Sequence, residues 1–488
     1  MQDAFGTLLG QLFPVLTPEI LVALLSLLLL GIGLLIPPGA RKGMLPLTVF
    51  ALLGVLGYTV YDFFFGVRAT FLQGMYLHDQ FATFFKILFV VAALLVVLFS
   101  GNYIQKLPAH RGEFYALILA ATLGMMLMAG AGDLITLYVG LELMTITFYL
   151  LVAYWQTEAK SAEAGIKYLV LGASSSAVLL YGISLIYGLS GSTQLSEIWD
   201  ALANASGPAV LLATVFVLAG LGFKISLVPF HLWAPDIYEG APTPVTAFLA
   251  VASKAAAFAA LIRVYLITLN SQAFAPTGET LLFLLAALTM IVGNLAAIPQ
   301  TNIKRLLAYS SIAQAGYLMV GILGVSVAGV KAVLFYAMAY VFANLGAFAV
   351  ATMIGEKQGS DEIKDFAGLS RRSPLAAAVL TACLLSLAGI PPLAGFVGKF
   401  YLFWAAMDRG HLAIAFIGFV MSMVSVYYYL SVVKVMYLTE GEELPEVPVK
   451  GAPKFTMVFT LLVTLFLGLY PTPLAQMAIS AANSLVGR

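Results

Sequence analysis

The 488-residue chain is 61% hydrophobic and only 10% charged, with a formal net charge of +1. Soluble domains carry about 25% charged residues, so a string of soluble domains is excluded, and near-neutrality gives no reason to invoke nucleic acid. A single cysteine, Cys383, and four scattered histidines cannot make an internal disulfide, hold an iron–sulfur cluster or supply paired haem or zinc ligands.

The first residues, MQDAFGTLLG, carry Asp3 and lack the basic region of a cleaved signal peptide. Apolar stretches of about 20 residues, long enough to cross a bilayer, then recur along the whole chain. They predict an all-α polytopic membrane protein of about 14 transmembrane helices, at roughly 20–36, 43–62, 82–101, 114–131, 134–154, 164–189, 209–231, 243–268, 281–299, 305–324, 329–354, 374–407, 412–437 and 455–474. Residues 1–113 hold helices 1–3, 114–268 a first repeat (helices 4–8), 281–437 a second (helices 9–13), and 438–488 a loop and helix 14.

The charges inside these spans are the informative residues, because an ionised side chain near the bilayer centre costs roughly 2.5–3.5 kcal/mol. Lys86, Lys167 and Lys434 lie near enough to helix ends to snorkel to the interface. Glu142 is the carboxylate deep in the fifth helix, while Asp133 falls near the surface about two and a half turns earlier. Glu142 reads either as half of a structural ion pair or as a proton-binding site whose affinity depends on a nearby lysine. Lys224, in the seventh helix, is its natural partner.

The seventh helix is interrupted: Pro229 has no N–H for the carbonyl of Ile225, one residue after Lys224. His231 follows the break, with Asp236 beyond it. Lys254 stands in the middle of the alanine-rich eighth helix, too deep to snorkel, and Arg263 reads as an anchor nearer its far end. Ser311, Gln314 and Tyr317 in the tenth helix are candidate relay groups, as is His231. The twelfth helix breaks again at Pro391 and Pro392, which free the carbonyls of Leu387 and Ala388 just before Lys399. Paired interrupted segments in matching halves point to two inverted five-helix repeats, the plan of many transporters. Glu142, Lys224, Lys254 and Lys399 thus form a candidate proton path.

Loop charges set the orientation. Arg41, Lys42, Lys106, Arg111, Lys160, Lys304, Arg305, Lys357, Lys364, Arg371, Arg372, Lys450 and Lys454 fall on one side, which the positive-inside rule makes cytoplasmic. Both termini are then expected on the outer, periplasmic side of the cytoplasmic (inner) membrane.

Three long motifs carry a resemblance: GFKISLVPFHLWAPDIYEGAPTPVTAFLAVASKAAA at 222–257, QTNIKRLLAYSSIAQAGYL at 300–318 and LSLAGIPPLAGFVGKFYLF at 385–403. They resemble the signature of the subunit N family of proton-pumping type I NADH:quinone oxidoreductase, respiratory complex I, whose antiporter-like relatives include subunits M and L and the Mrp Na⁺/H⁺ antiporters. The resemblance implies a half-channel in each repeat and proton-transfer roles for Glu142, Lys224, Lys254 and Lys399. It also implies neighbouring subunits M and K, and FMN, iron–sulfur clusters and quinone on other subunits, with no cofactor or metal on this chain. Gln314 departs from the pattern, since relatives often carry histidine there.

The expected function is proton translocation across the lipid bilayer as an enzyme subunit, coupled to quinone reduction elsewhere and without redox chemistry on this chain. An Mrp-type cation/proton antiporter is the alternative. A third reading places quinone on this chain at His231 and Asp236.

Overall fold

The computed structural model describes residues 2–36, 43–105, 111–202, 207–268, 275–323, 326–441 and 446–486. Arg41, Lys42 and Lys106, used above for orientation, lie outside them. The chain opens with α1 (Gln2–Leu35) and α2 (Met44–Phe65), then a hairpin of β1 (Ala69–Phe71) and β2 (Tyr76–His78). Next come α3 (Gln80–Gln105), α4 (Arg111–Gly130), α5 (Leu134–Val152), α6 (Ala159–Ser190), the short α7 (Leu195–Leu202), α8 (Pro208–Ile225) and α9 (Trp233–Gly240). Helix α10 (Thr243–Phe248) runs through a π-helical turn, Leu249–Ser253, into α11 (Lys254–Thr268). The second half holds α12 (Ala275–Ala297), α13 (Ile303–Val320), α14 (Val327–Gln358), α15 (Leu369–Arg372), α16 (Pro374–Ala388), α17 (Ala394–Asp408) and α18 (Leu412–Leu438). The described chain ends with α19 (Gly451–Leu469) and α20 (Thr472–Val486).

Among the described residues, twelve helices are long and apolar enough to cross a membrane; α13 and the broken α16–α17 pair bring the spans to the fourteen expected. The centre of the bundle is α10–α11 and α14, whose membrane-length windows are wholly buried. That explains why they are apolar all round: every face of these two helices meets protein.

The two halves repeat the same local physics. Helices α4 and α5 touch at Gly124 and Gly140, where an added Cβ would fall 2.6 Å from Met144 N and 2.9 Å from Gly124 O respectively. Helices α12 and α13 touch at Gly293 and Gly316, where a Cβ would come within 2.6 Å of Ala313 N and 2.7 Å of Met290 Cγ. Small residues let membrane helices approach backbone to backbone, and α5 carries Glu142 as α13 carries Gln314.

Both broken helices end in the same way. Ser226 (φ 66°) and Gly389 (φ 89°) adopt the left-handed conformation that closes a helix. Leu227 N–H donates to Gly222 O (2.8 Å) and Ser226 N–H to Phe223 O (3.0 Å); Ile390 N–H donates to Leu385 O (3.0 Å) and Gly389 N–H to Ser386 O (3.0 Å). These are matching 6→1 and 5→2 pairs. The helices therefore stop four residues before Pro229 and Pro392, so the prolines bar resumption of the helix and do not themselves cut it. Four crossings (α10–α11, α12, α13 and α14) separate the two broken helices, so those two helices run in opposite directions and the second unit is inverted relative to the first.

Several shorter elements were not expected. The β1–β2 strands have three residues each, too few for a period-2 pattern to register. Helix α7 is a single eight-residue amphipathic segment. Helix α20 buries Ala475, Ala478, Ala481 and Ala482, and Ser484 Oγ accepts Phe81 N–H of α3 at 3.1 Å. Its small side chains carry little hydropathy signal.

Candidate functional site

Glu142 and Lys224 do not form an ion pair among the described residues. Glu142 Oε1 and Lys224 Nζ are both buried, and neither has a hydrogen-bond partner. Their charges interact, yet no ion pair within 4.0 Å joins them among the described residues. The closed structural ion pair is therefore not the arrangement observed. Lys224 Nζ instead lies 5.5 Å from the Phe223 ring centroid and 6.0 Å from that of Tyr168. The break positions this wall: Trp233, just past it, folds back so that its Nε1 donates to Phe223 O at 2.8 Å. Its indole then stacks on Tyr168, with centroids 5.0 Å apart.

The same aromatic wall leads to Lys254. Trp233 meets Tyr238 edge-on at 6.1 Å, and Lys254 Nζ lies 5.8 Å from the Tyr238 centroid. The π-helical turn immediately before Lys254 widens the backbone there; such turns recur at functional sites. Lys254 Nζ donates to Ser311 Oγ at 2.7 Å, and Ser311 Oγ donates to Ala308 O at 2.8 Å. A cavity of about 10 Å³ beside them is lined by Lys254, Ser311, Gln314 and Tyr340, roughly the space one water requires.

One turn along α13, Gln314 joins this lysine's surroundings to the second break. Its Nε2 donates to Leu387 O at 2.9 Å and to Tyr429 Oη at 3.3 Å, while Tyr336 donates to its Oε1. Ser310 Oγ also pairs with Tyr429 Oη. On the adjacent carbonyl, Ala388 O accepts Lys399 Nζ at 3.1 Å and Ser422 Oγ at 2.8 Å, and Lys399 Nζ also donates to Ser422 Oγ at 2.9 Å. Lys399 Nζ sits 4.3 Å from the Tyr317 centroid, and Tyr317 Oη accepts Asn294 Nδ2 at 3.1 Å. Thus the carbonyls beside the break at Pro391 and Pro392 are those held by Gln314 and Lys399. The site is a polar chain crossing the bundle: Lys254, Ser311, Gln314, the two carbonyls, Lys399.

Gln314→Leu is expected to cut this chain at its middle. It would leave Leu387 O and the Tyr336 hydroxyl unpaired, at about 1–3 kcal/mol each. Assembled variant complex should translocate protons several-fold more slowly, whereas Gln314→His should keep near-normal rates; proton uptake into energised vesicles measures both.

Of the relay candidates, Ser311, Gln314 and Tyr317 lie in this chain, but His231 does not. It is half-buried, and its Nδ1 has no partner. Asp236 lies at the surface, where Arg305 Nη1 donates to its Oδ1 (2.8 Å) and Lys167 Nζ to its Oδ2 (3.4 Å). Glu239 accepts Lys160 Nζ and Arg305 Nη1, each at 3.0 Å. Burial alone would raise both carboxyls, but these hydrogen bonds outweigh it and hold each below the ordinary carboxylate range. Depressed carboxyls stabilise the fold above their unfolded values, and that contribution disappears as pH falls through the folded ones. The effect is small for pairs this exposed, about 1 kcal/mol or less. Acidification should therefore lower the melting temperature of the solubilised protein more in wild type than in Arg305→Ala.

Several sequence expectations need correction. Lys86 does not snorkel: it is fully buried and pairs with Glu19 at 2.8 Å. Arg263 is not an interfacial anchor: it is 2% exposed, paired with Asp79 at 2.8 Å and donating to Ala129 O at 2.7 Å. Asp133 is buried and caps α5, accepting from Thr136 N–H. Lys167, by contrast, is exposed and pairs with Glu163 at 2.7 Å. In each correction a distant helix or a neighbouring turn supplies the partner, which linear position does not reveal. The uncharged members of the chain, Tyr336, Ser422 and Tyr429, were also not foreseen. A tyrosine or serine in a membrane helix is common, so only tertiary contacts single these out.

The profile of the family described as NADH:quinone oxidoreductase/Mrp antiporter, transmembrane, matches residues 131–425. The NADH-quinone oxidoreductase subunit N of Desulfitobacterium hafniense is 66% identical over 487 residues, covering 96% of this chain and 98% of its own. Among solved structures, a chain of respiratory complex I from Thermus thermophilus with bound aureothin superposes with a TM-score of 0.81 at 37% identity, covering 95% of this chain and 99% of that one. A chain of the Mrp complex from Dietzia sp. reaches a TM-score of 0.85 at 23% identity, over 96% and 98% of the two chains; at that identity it speaks for the fold alone.

Proposed function

The chain belongs to the antiporter-like family of NADH:quinone oxidoreductase and Mrp membrane subunits, in its subunit N branch, and on that premise we propose that it translocates protons through its own buried Glu and Lys side chains. It is a multi-pass membrane subunit of an oxidoreductase complex. Quinone reduction takes place on other subunits, which carry FMN and iron–sulfur clusters, and drives this chain through conformational and electrostatic change. Its neighbours are subunits M and K, and it sits in the cytoplasmic membrane with both termini outside.

One observation carries this reading. Half-buried Glu142, with a buried and unpartnered Oε1, and buried Lys224, with an unpartnered Nζ, lie within electrostatic reach of one another, next to an aromatic wall and a polar chain that continue to Lys254 and Lys399. A carboxylate brought within 4–6 Å of a lysine favours the charged form of both, and separation lets desolvation favour the neutral forms. A pair that closes and opens thus changes its affinity for protons. Lys399 takes the last position because its ammonium donates to a break carbonyl and to a serine hydroxyl that can accept its proton while releasing its own, with no ion pair to hold the charge.

Lys224→Ala in the assembled complex provides the test. Proton uptake per quinone reduced should fall by this subunit's whole contribution; an unchanged ratio would refute the assignment. A second reading, exchange of Na⁺ or K⁺ for protons by the chain alone, draws on the fold shared with the Mrp subunit. Under that reading, purified chain in liposomes would dissipate a sodium gradient, which the leading reading does not expect. Asp236 is already engaged by Arg305 and Lys167, so a quinone site with His231 is not proposed.

A further inference from the structure

The polar chain that crosses the bundle has a gap beside Lys254. Lys254 Nζ donates to Ser311 Oγ, but the Ser311 hydroxyl gives its own hydrogen to Ala308 O, a backbone carbonyl that passes no proton on. Gln314, one turn further along α13, is held by Leu387 O, Tyr429 and Tyr336, and among the described residues no hydrogen bond joins it to Ser311. Helix α14 returns alongside α13, so Tyr336 stands opposite Gln314 and Tyr340, one turn later, stands opposite Ser311. The first of these two rungs is closed, with the Tyr336 hydroxyl on Gln314 Oε1. The second is open. Ser311 and Asn344, the latter a further turn along α14, both interact with the buried Tyr340 hydroxyl, yet it completes a hydrogen bond with neither.

Tyr238 Oη and both polar atoms of Asn344 are also buried without a partner in this neighbourhood. Buried polar atoms are nearly always paired, so an amide with neither end satisfied is a poor structural choice for the central helix. The three side chains differ in place. Tyr238 belongs to the aromatic wall on the Lys224 side and does not line the cavity beside Lys254. Tyr340 lines that cavity together with Lys254, Ser311 and Gln314, and its volume of about 10 Å³ is roughly the space of one water. Asn344 does not line it, and lies one turn beyond Tyr340, about 6 Å along the axis of α14. The Tyr340 hydroxyl thus has Ser311 and the cavity on one side and an unsatisfied amide on the other.

We propose that Tyr340 is the relay that joins Lys254 to Gln314, and that Asn344 is the positioning residue that draws its hydroxyl away from the cavity. The proposal rests on the proton-translocating reading above and names the side chains that make and break its path midway. With the hydroxyl turned to Ser311, a proton leaves Lys254 for Ser311 Oγ. The Ser311 hydroxyl gives its hydrogen to Tyr340 Oη, and Tyr340 gives its own to a water in the cavity. Lys254 is left neutral, both hydroxyls are restored, and the water carries the charge past Gln314 toward a neutral Lys399. With the Tyr340 hydroxyl turned to Asn344 Oδ1, the rung opens, Ser311 returns to Ala308 O and Lys254 keeps its proton.

The test measures protons translocated per quinone reduced by the assembled complex in sealed vesicles, and the melting temperature of the solubilised complex alongside. Tyr340→Phe keeps the ring and removes a hydroxyl that has no bond to lose. The complex should therefore assemble in wild-type amounts with an unchanged or higher melting temperature, while the ratio falls by the same decrement as in Lys254→Ala. Asn344→Leu, close to asparagine in volume, should slow translocation several-fold. Asn344→Ser, which keeps an acceptor and leaves room for a water, should restore most of the rate. A packing role predicts the reverse order, with leucine tolerated and serine harmful, and that order would overturn the role of Asn344. A wild-type ratio in assembled Tyr340→Phe would overturn the proposal. So would its failure to assemble or a lowered melting temperature, since the hydroxyl would then be structural. If Lys254→Ala itself leaves the ratio unchanged, the failure belongs to the translocation reading.

Discussion

Lys254→Ala is expected to abolish proton translocation by this subunit while the complex assembles at close to wild-type amounts. Lys254 is buried in the central helix, and its ammonium has one hydrogen bond, to Ser311. Removing it deletes a desolvated charge as well as a contact. The fold thus loses a costly group together with a favourable one, and Ser311 keeps its own bond to Ala308 O. Transport has no such compensation, because the aromatic wall from Lys224 and the polar chain toward Lys399 meet at this ammonium. Lys254→Arg sharpens the result. Guanidinium remains protonated in proteins, so a merely structural cation would be replaced, whereas a group that must release its proton would not. Both variants should therefore translocate at less than about a tenth of the wild-type rate, a loss of more than about 1.4 kcal/mol in the transport barrier. Initial rates of acidification in energised vesicles, normalised to assembled complex, decide it.

Glu142→Gln is expected to have a comparable effect on transport and a minor one on stability. Were Glu142 half of a closed buried ion pair, removing its charge would strand Lys224 at about 3–5 kcal/mol, and assembly would suffer. The observed separation, with neither Oε1 nor Nζ partnered, removes most of that penalty. Transport should nevertheless fall about tenfold or more, because a glutamine cannot supply the negative charge that alternately attracts and releases the lysine's proton. Lys224→Ala added to Glu142→Gln should cost little further, since groups acting as one unit are non-additive. Additive losses in the double variant, or strongly reduced assembly in Glu142→Gln, would favour the static ion pair.

Glu142, Lys224, Lys254 and Lys399 were legible because a charge within an apolar span is conspicuous wherever its partners are. The breaks were legible because proline lacks an N–H, although the left-handed turns at Ser226 and Gly389 end the helices first. Lys86 and Arg263 misled because distance from a helix end suggests snorkelling, while the carboxylates that bury them come from elsewhere: Glu19 on α1, Asp79 just before α3.

The sequence by itself determined a bundle of spanning helices with two interrupted ones. A bilayer leaves the backbone no other way to satisfy its N–H and C=O groups, so apolar length alone specifies the class. The tertiary structure decided which buried groups meet. It left Glu142 and Lys224 apart, joined Gln314 and Lys399 to neighbouring carbonyls at the second break, and gathered charges from α1, α2, α3 and α11 into one network. Hydrogen bonds and ion pairs act over a few ångströms in space, and helices far apart in the chain supply their two ends.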